Sequence, residues 1–170
     1  WLKDKKSLLT WKHGKTGIPI VDAGMKELYE MGWMHNRVRM IVGSFLTKNL
    51  LLHWKEGERW FFDTLVDADI GSNSAGWQWI SGSGADASPY FRIFNPILQG
   101  KKFDPRGEYV KKFLPSLSKI PDKFIHSPWE MSINEQEKYN FKLGRDYPKP
   151  IVDLSDTRKR ALAAFKKISV

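Results

Sequence analysis

The sequence predicts an all-α fold, a single helical domain with long ordered loops. Three observations support this prediction. Apolar side chains recur at steps of three and four residues through much of the first part of the chain, which is the period of a helix. Prolines interrupt the later part too often for long elements, and no run with strand-like alternation has a partner run to pair with. The length of 170 residues fits one domain.

Three helices are predicted in the first part of the chain. Residues 1–19 mix charges with glycines and are interpreted as a loop or a frayed helix end. A helix is predicted over 20–31, where apolar residues have helical spacing and a glycine follows. The longest and most buried helix is predicted over 35–54, and Gly57 is interpreted as a break before a third helix over 58–66.

The middle of the chain is predicted to be mostly irregular. Between Leu65 and Trp79 an apolar run gives way to a turn of small residues. Residues 80–89 are rich in Ser, Gly and Ala and are predicted to form a loop. Residues 90–96 alternate aromatic and polar side chains, but they end at a proline and have no partner run, so an extended loop is favoured over a strand.

The last third is predicted to contain two helices. A short helix is expected over 104–114, and a turn over 129–133. A closing helix is expected over 155–167, with Ser155 as its N-cap. The residues of this end predicted to face inward are Leu162, Phe165 and Ile168.

The charge of the chain favours a polyanionic partner. Lys and Arg number 28 against 19 Asp and Glu, a net charge of +9, and 14% of the residues are aromatic. Cations bind phosphates and aromatic rings stack on bases, so nucleic acid is favoured, although basic residues also serve solubility alone. The absence of cysteine excludes disulfides, thiolate metal sites and thiol nucleophiles. No apolar run approaches the ~18 residues of a membrane span.

The chemically richest segment runs from Leu65 to Trp79. Asp67 and Asp69 follow its apolar start and are expected to be partly buried and paired with Arg37 or Arg39, so a purely structural ion pair is one reading. A ligand site is the second reading, because carboxylates read hydrogen-bond edges and small residues admit a flat molecule. A metal site is disfavoured, since the four histidines lack ligand spacing.

Three further patterns have both a structural and a functional reading. Eight tryptophans are many for this length, and closely packed indoles can pass electrons from an interior site to the surface, although core packing explains any single one. The segment 32–40 places an amide, two guanidiniums and a thioether at a helix start, where they can face a cavity or simply begin the helix. Cations also adjoin aromatics at Arg92 and Lys102, as in nucleic-acid surfaces and on ordinary solvated faces.

Taken together, the motifs resemble the C-terminal part of the FAD-binding helical domain of the photolyase and cryptochrome family, with closest similarity to class I cyclobutane pyrimidine dimer photolyases. The similarity is strong from Trp1 to about Pro115 and weak to Pro150. The runs that carry it are Thr16–Ala23, Gly32–Arg37, Asp67–Asp69, Asn73, Trp77–Trp79 and Tyr90–Pro96.

The resemblance implies a flavin site. Asp67 would lie beside the isoalloxazine ring in an ion pair with Arg39, Asp69 would hydrogen-bond its pyrimidine edge, and Asn73 would face N5 and tune the redox state of the ring. The complete cofactor set implied is Asn36, Arg39, Asp67, Ala68, Asp69 and Asn73, with no metal. Reduced FAD would be the active form.

The resemblance also implies light-driven repair of pyrimidine dimers in DNA. Trp77, Trp54 and Trp1 would be the inner, middle and outer members of an electron relay. A dimer flipped out of the helix needs a stacking wall and polar edge readers in a pocket with a cationic rim. Asn36, Arg37, Met40 and Trp79 would line that pocket, while Arg92 and Lys102 would contact phosphates.

Within the family, four positions favour repair of cyclobutane dimers. Six-four photolyases have histidines at the positions of Asn36 and Met40, and plant cryptochromes tend to carry an acid at Asn73 and lack a tryptophan at Trp79. A cryptochrome-type photoreceptor is the main alternative. A non-enzymatic basic DNA-binding domain is a third reading, but it leaves the order of the motifs unexplained.

The resemblance further implies that residues 1–170 are the C-terminal portion of the FAD-binding domain. In the family, the flavin phosphate-binding segment and the N-terminal α/β domain, which binds a second, antenna chromophore, precede the position of Trp1. The 170 residues alone are therefore expected to be inactive. The whole protein is expected to be a cytoplasmic monomer without a membrane partner, with any targeting segment outside these residues.

Overall fold

The computed structural model describes residues 1–85 and 91–167. Within these ranges it contains α-helices and short 3-10 and π turns, and no strand beyond two isolated bridges, which confirms the all-α prediction. The helices are α1 (Lys5–Lys12), α2 (Pro19–Met31), α3 (Asn36–Ser44), α4 (Trp54–Thr64), α5 (Ile70–Ser81), α6 (Pro96–Phe103), α7 (Glu108–Phe113), α8 (Ile133–Lys138) and α9 (Leu154–Lys166).

Helix α1 lies where the sequence predicted a loop or a frayed end. Asp4 caps it, accepting from the Ser7 backbone N–H at 3.0 Å. Trp11 near its end is fully buried, and its Nε1 donates to the carbonyl of Val42 at 3.1 Å. A helix of this length is marginal alone, so tertiary burial of Trp11 supplies the stability that local propensity does not.

The prediction for α2 is confirmed, but the prediction for the next helix is wrong at its end. Helix α3 continues into a π-helical turn, Phe45–Asn49, and the chain then leaves helical geometry at Leu51, whose φ is 52°. The helix therefore stops before Trp54, which begins α4 behind the N-cap His53. Gly57 is not a break, because it lies inside α4.

Helix α5 replaces the predicted turn of small residues, and it extends two residues into the predicted loop. Asp69 caps it, accepting from the Ser72 backbone N–H at 2.7 Å. Its small residues have weak helix propensity, so the sequence pattern does not predict this helix. The helix forms because Trp77 and Ile80 on it are buried against α3 and α4.

The remaining predictions are met in part. Residues 91–95 have no strand, as predicted, and α6 follows them although no helix was predicted there. Helix α7 begins at Glu108 rather than near Asp104. The Asp104 carboxylate accepts from the Tyr109 and Val110 backbone N–H groups at 3.1 Å each, so Asp104 lies before the helix and binds its first turn. A short 3-10 turn, Pro128–Glu130, lies at the predicted turn.

The closing helix α9 is capped by Asp153, which accepts from the Asp156 backbone N–H at 2.8 Å, so the prediction of Ser155 is wrong. Leu162 and Phe165 are half-buried, and Phe165 stacks on Phe91 with ring centres 4.1 Å apart. The predictions for Ile168, for Tyr90 and for the 86–89 part of the predicted loop lie outside the described residues.

The core is centred on α2, α3 and the π turn. Val21, Val42 and Phe45 are fully buried there. The long segment after α7 is held to this core by a hydrogen bond from the Tyr147 hydroxyl to Asp22 at 2.6 Å. Helix α5 packs against α3 and α4, and α4 packs against the π turn, which leaves a hollow lined by residues of all three helices. No described helix has the length and apolar character needed to cross a membrane.

Candidate functional site

The hollow between α3, α4 and α5 is a cavity of about 490 Å³, which is within the size range of small-molecule sites. Much of the predicted cofactor and substrate set lines it, namely Asn36, Arg39, Met40, Asp67, Ala68, Asp69, Asn73, Trp77 and Trp79. The predicted residues outside the lining are Trp1, Arg37, Trp54, Arg92 and Lys102. The structure thus gathers residues that are up to 43 positions apart into the lining of one cavity.

Small residues make one side of this cavity accessible to a flat molecule. Gly76 lies inside α5, and a β carbon built on it would meet nothing within 4 Å. Gly43 on α3 and Ala68 also belong to the lining. A glycine in a helix interior costs roughly 0.5–1 kcal/mol relative to alanine. An open glycine facing a cavity therefore fits a site that a planar ring system fills.

Arg39 is held at the cavity from two directions. Its Nε donates to the carbonyl of Met34 at 2.6 Å, and its Nη2 donates to both carboxylate oxygens of Asp67 at 2.8 and 3.1 Å. The predicted ion pair is therefore present. The expected burial of the carboxylates is wrong, because the Asp67 side chain is 48% exposed and Asp69 is also exposed. Such an exposed pair adds little to stability and leaves polar groups available to a ligand.

Asp69 has two roles in the same place. It caps α5 and it lines the cavity. The hydrogen bond from the Ser72 backbone N–H holds the pKa of Asp69 below its ordinary value, with a further lowering by the Ser72 side chain. The carboxylate is therefore ionised at neutral pH and presents acceptor oxygens at the cavity wall.

Asn73 lies on α5 and is oriented by α4. Its Nδ2 donates to the backbone carbonyl of Glu58 at 2.9 Å, while the neighbouring Ser74 hydroxyl donates to the Glu58 carboxylate. Because α4 engages the amide nitrogen, the carbonyl oxygen of Asn73 is the group left to accept a hydrogen bond in the cavity.

Trp77 forms the buried end of an aromatic series. It is 3% exposed, and its ring contacts Phe61 with centres 4.9 Å apart and Trp11 with centres 6.2 Å apart. A β carbon at Gly57 would overlap the six-membered ring of Trp77, so α4 and α5 approach closely there. Trp54 is three residues before Gly57, and so on the same side of α4.

A separate run of ring contacts leads from Trp54 to the surface through a histidine that the sequence did not single out. The ring centre of His53 lies 5.7 Å from that of Trp54 and 5.1 Å from that of Trp1. Trp1 is 58% exposed. Trp54, His53 and Trp1 therefore form a run of ring contacts that ends in solvent, and its inner end lies one helical turn from the glycine that touches Trp77.

The prediction that Arg37 lines the dimer pocket is wrong, because Arg37 lies outside the cavity lining, as do the predicted phosphate contacts Arg92 and Lys102. The Arg37 guanidinium lies over the ring of Phe103, 4.7 Å from its centre, and the Lys102 ammonium lies 5.3 Å from the same centre. Arg92 lies over Phe94 at 5.1 Å. Arg37 directly follows Asn36 of the cavity wall, so this cluster adjoins the rim.

Sequence reasoning missed several members of the lining. Phe61 and Ile80 contribute apolar surface, and Gly43, Ser72 and Gly76 contribute space. The glycines on α3 and α5 were the available signal, because a glycine inside a helix lowers its stability and often has a packing or functional reason. No group of three or more possible metal-binding side chains occurs in the described ranges 1–85 and 91–167.

Comparison with known proteins identifies the family. A family model described as the FAD binding domain of DNA photolyase matches residues 1–167. A deoxyribodipyrimidine photo-lyase from Agrobacterium fabrum is 58% identical over 99% of this chain and 35% of its own length. The chain therefore belongs to the FAD-binding domain family of DNA photolyases, and it spans about a third of the length of the curated relatives it matches.

Solved structures agree with this assignment. A bacterial class III photolyase from Agrobacterium tumefaciens superposes with a TM-score of 0.94 at 59% identity, covering 98% of this chain and 35% of that one. A Synechocystis cryptochrome superposes with a TM-score of 0.91 at 40% identity, covering 96% and 34%. The photolyase and cryptochrome family is confirmed. Similarity to class I stays a prediction, since the Agrobacterium structure is described as class III.

Proposed function

We propose that these residues are the C-terminal part of the FAD-binding domain of a light-driven lyase that repairs cyclobutane pyrimidine dimers in DNA. The observation that carries this proposal is the convergence of Asp67, Asp69, Asn73, Trp77 and Trp79 on one cavity. The relatives named deoxyribodipyrimidine photo-lyase support the same reaction.

The cavity residues fit the flavin end of FAD. The open glycine at position 76 leaves room for a planar ring, and the side chains around it are acceptors and a cation. Asp69 would accept hydrogen bonds from the N–H groups of the ring edge, and the pair of Arg39 and Asp67 would lie beside the ring. Asn73 would offer its carbonyl oxygen to an N–H donor, as reduced flavin has at N5. Reduced FAD, when bound, would supply the light-excited electron for the chemistry.

The other wall of the cavity would receive the dimer. Trp79 is half-buried and offers an aromatic face for stacking, while Met40 adds a polarizable apolar contact. Asn36 is exposed at the mouth and has both donors and an acceptor for a base edge. Arg37, Arg92 and Lys102 would contact phosphates outside the cavity, which a flipped-out substrate requires at the rim.

The tryptophans would keep the cofactor reduced. Trp77 lies in the cavity wall and Trp1 is exposed, so an electron can enter from solvent by way of Trp54. Asn73 would also take part in catalysis, because its amide would tune the redox state of the flavin ring. The whole protein is further proposed to be a cytoplasmic monomer that carries an antenna chromophore in an N-terminal domain.

A repair assay tests this proposal. The full-length protein, reduced in the dark, is mixed with an oligonucleotide that carries one cyclobutane thymine dimer and is then illuminated with blue light. We expect loss of the dimer only in the light, and strong loss of activity in Trp79→Ala with Trp33→Ala, an exposed tryptophan outside the cavity lining, as the matched control. Repair that needs no light, or no repair, would refute the proposal.

The second candidate is a cryptochrome-type photoreceptor without repair activity. The similarity to the Synechocystis cryptochrome favours it, and the electron relay would serve either role. A DNA-binding measurement distinguishes the photoreceptor from the repair enzyme. A photoreceptor would reduce its flavin under light but show no preference for dimer-containing DNA. The amide at Asn73 and the indole at Trp79 favour repair.

A further inference from the structure

The cluster at the cavity rim contains a cation without a carboxylate partner. Arg37 takes part in none of the ion pairs formed by residues 1–85 and 91–167. It lies in the first turn of α3, where the helix dipole is positive and does not stabilise a cation. Its guanidinium lies over the ring of Phe103. This arrangement leaves the charge of Arg37 available to an anion.

Phe103 is placed by a rigid support. It is the last residue of α6, and the following Asp104 donates its backbone N–H to Gly100 at 2.8 Å. The carbonyl of Asp104 accepts from Nε2 of His126 at 2.6 Å, and the Asp104 carboxylate accepts from the backbone N–H groups of Tyr109 and Val110 in α7. A β carbon at Gly100 would overlap the His126 ring, so α6 is packed tightly against it.

The ring of Phe103 is accessible to a neighbouring cation at the surface. Phe103 is 51% exposed, and because single exposed apolar side chains are common on proteins, its contact with Arg37 is the informative observation rather than its exposure. The ring of Phe103 contacts the Arg37 guanidinium and also lies near the Lys102 ammonium. An arginine resting on a fixed ring loses less side-chain entropy when it binds a phosphate than a freely moving one does.

We propose that Phe103 is a positioning residue that holds the Arg37 guanidinium at the cavity rim for a phosphate of the bound DNA strand. This inference rests on the proposed function for the identity of the polyanion. Arg37 makes the contact, and Phe103 acts through it. Because a phosphate contact carries no sequence or damage information, the pair contributes equally to the binding of damaged and undamaged strands.

A double-mutant cycle in the full-length protein tests the inference. The probes are one single-stranded oligonucleotide with a cyclobutane thymine dimer and the same oligonucleotide undamaged. Phe103→Leu is expected to weaken both about two- to fivefold, the size of an exposed cation–π contact. Arg37→Gln is expected to weaken both about tenfold, as for a charge-assisted hydrogen bond, and to make binding less dependent on salt. In the Arg37→Gln protein, Phe103→Leu is then expected to cause no further loss of affinity for either oligonucleotide.

Rescue and a matched control separate positioning from folding. Phe103→Tyr keeps an aromatic face and is expected to bind like the unchanged protein, with the same thermal unfolding in all variants. Phe62→Leu changes another exposed phenylalanine, on α4, and should not alter binding. Additive losses in the double mutant would overturn the inference, as would a Phe103→Leu loss confined to damaged DNA, which would mean that the ring stacks on a base.

The outcome is distinguishable from failure of the proposed function. If the unchanged protein neither repairs nor prefers the dimer, the repair proposal fails, while coupling between Arg37 and Phe103 on undamaged DNA still supports the inference. If repair is intact and the two substitutions are uncoupled, the inference alone fails.

Discussion

Gly57 of α4 lies directly against the indole of Trp77 on α5. A β carbon at Gly57 would overlap the Cη2, Cζ2 and Cζ3 atoms of that ring. Helices α4 and α5 can approach this closely because Gly57 has no side chain. The same absence of a side chain at Gly57 allows Trp77 to take its position in the cavity wall.

We therefore expect Gly57→Ala to destabilise the full-length protein by about 1–3 kcal/mol through overpacking, in spite of the better helix propensity of alanine. Denaturant unfolding measures this loss. The displaced indole should also slow photoreduction of the flavin. Unchanged stability together with unchanged photoreduction would show that α4 and α5 do not meet at this point.

Gly76 is the matched opposite case, because it lies on α5 but a β carbon there meets nothing within 4 Å. Gly76→Ala is expected to stabilise the flavin-free protein by about 0.5–1 kcal/mol. It should weaken FAD binding, because the methyl group enters the cavity. Titration of flavin-free protein with FAD measures the affinity, and equal affinity in Gly76→Ala would place the flavin elsewhere.

The relay assignment predicts a separation of two activities. Trp77→Phe should nearly abolish photoreduction of oxidised flavin and leave repair by chemically reduced flavin close to normal, since the ring is needed only to deliver electrons. Transient absorption and a repair assay on the same sample measure both. Equal loss of the two activities would contradict the relay.

The contacts of His53 predict a role in the outer step of the relay. His53→Asn removes the ring between Trp54 and Trp1 but retains a good N-cap for α4. We expect slower electron transfer from Trp1, seen as a longer-lived Trp54 radical. His35→Asn is the matched control, because His35 caps α3 in the same way and lies beside Trp33. Identical kinetics in both variants would exclude the ring of His53 from the path.

Lys48 gives a prediction about pH. Its ammonium is buried, donates to the Ser81 carbonyl at the end of α5 at 2.6 Å and lies 3.7 Å from the centre of the Phe91 ring. Burial lowers the pKa of Lys48 to about 8. The unfolded value is about 10.4, so the unfolded state binds more protons between these values and the free energy of unfolding rises with pH.

The stability of the unchanged protein relative to Lys48→Met should therefore increase by about 2 kcal/mol between about pH 7 and pH 9.5. Denaturant unfolding at the two pH values gives this difference. Lys15→Met, at an exposed lysine, is the control and should show no such change. A relative stability that is flat or falls with pH would mean that the Lys48 ammonium is not desolvated in the native state.

The sequence predicted the composition of the site better than its architecture. Asp67, Asp69, Asn73 and Trp77 were assigned through a family resemblance, and all four line one cavity, while their roles stay a prediction. Helix α5 was missed because its small residues have little helical propensity and the buried faces of Trp77 and Ile80 supply the stability instead.

Other errors have the same origin in tertiary contacts. Gly57 was interpreted as a break, whereas its place is set by a ring on another helix that no local pattern reveals. Asp67 and Asp69 were expected to be partly buried, but both border an open cavity. His53 has no pattern of its own, and its position between two indoles depends on how the first residues of the chain meet the start of α4.

The flavin content of the full-length protein shows whether the cavity between α3, α4 and α5 holds FAD. The protein is purified in the dark, its absorption spectrum is recorded, and the cofactor released on unfolding is identified and compared with the amount of protein. The account predicts one FAD per chain, with much less retained by Gly76→Ala and by residues 1–170 alone. A full-length protein that holds no flavin, or that holds it equally well with the cavity filled at position 76, would contradict the account.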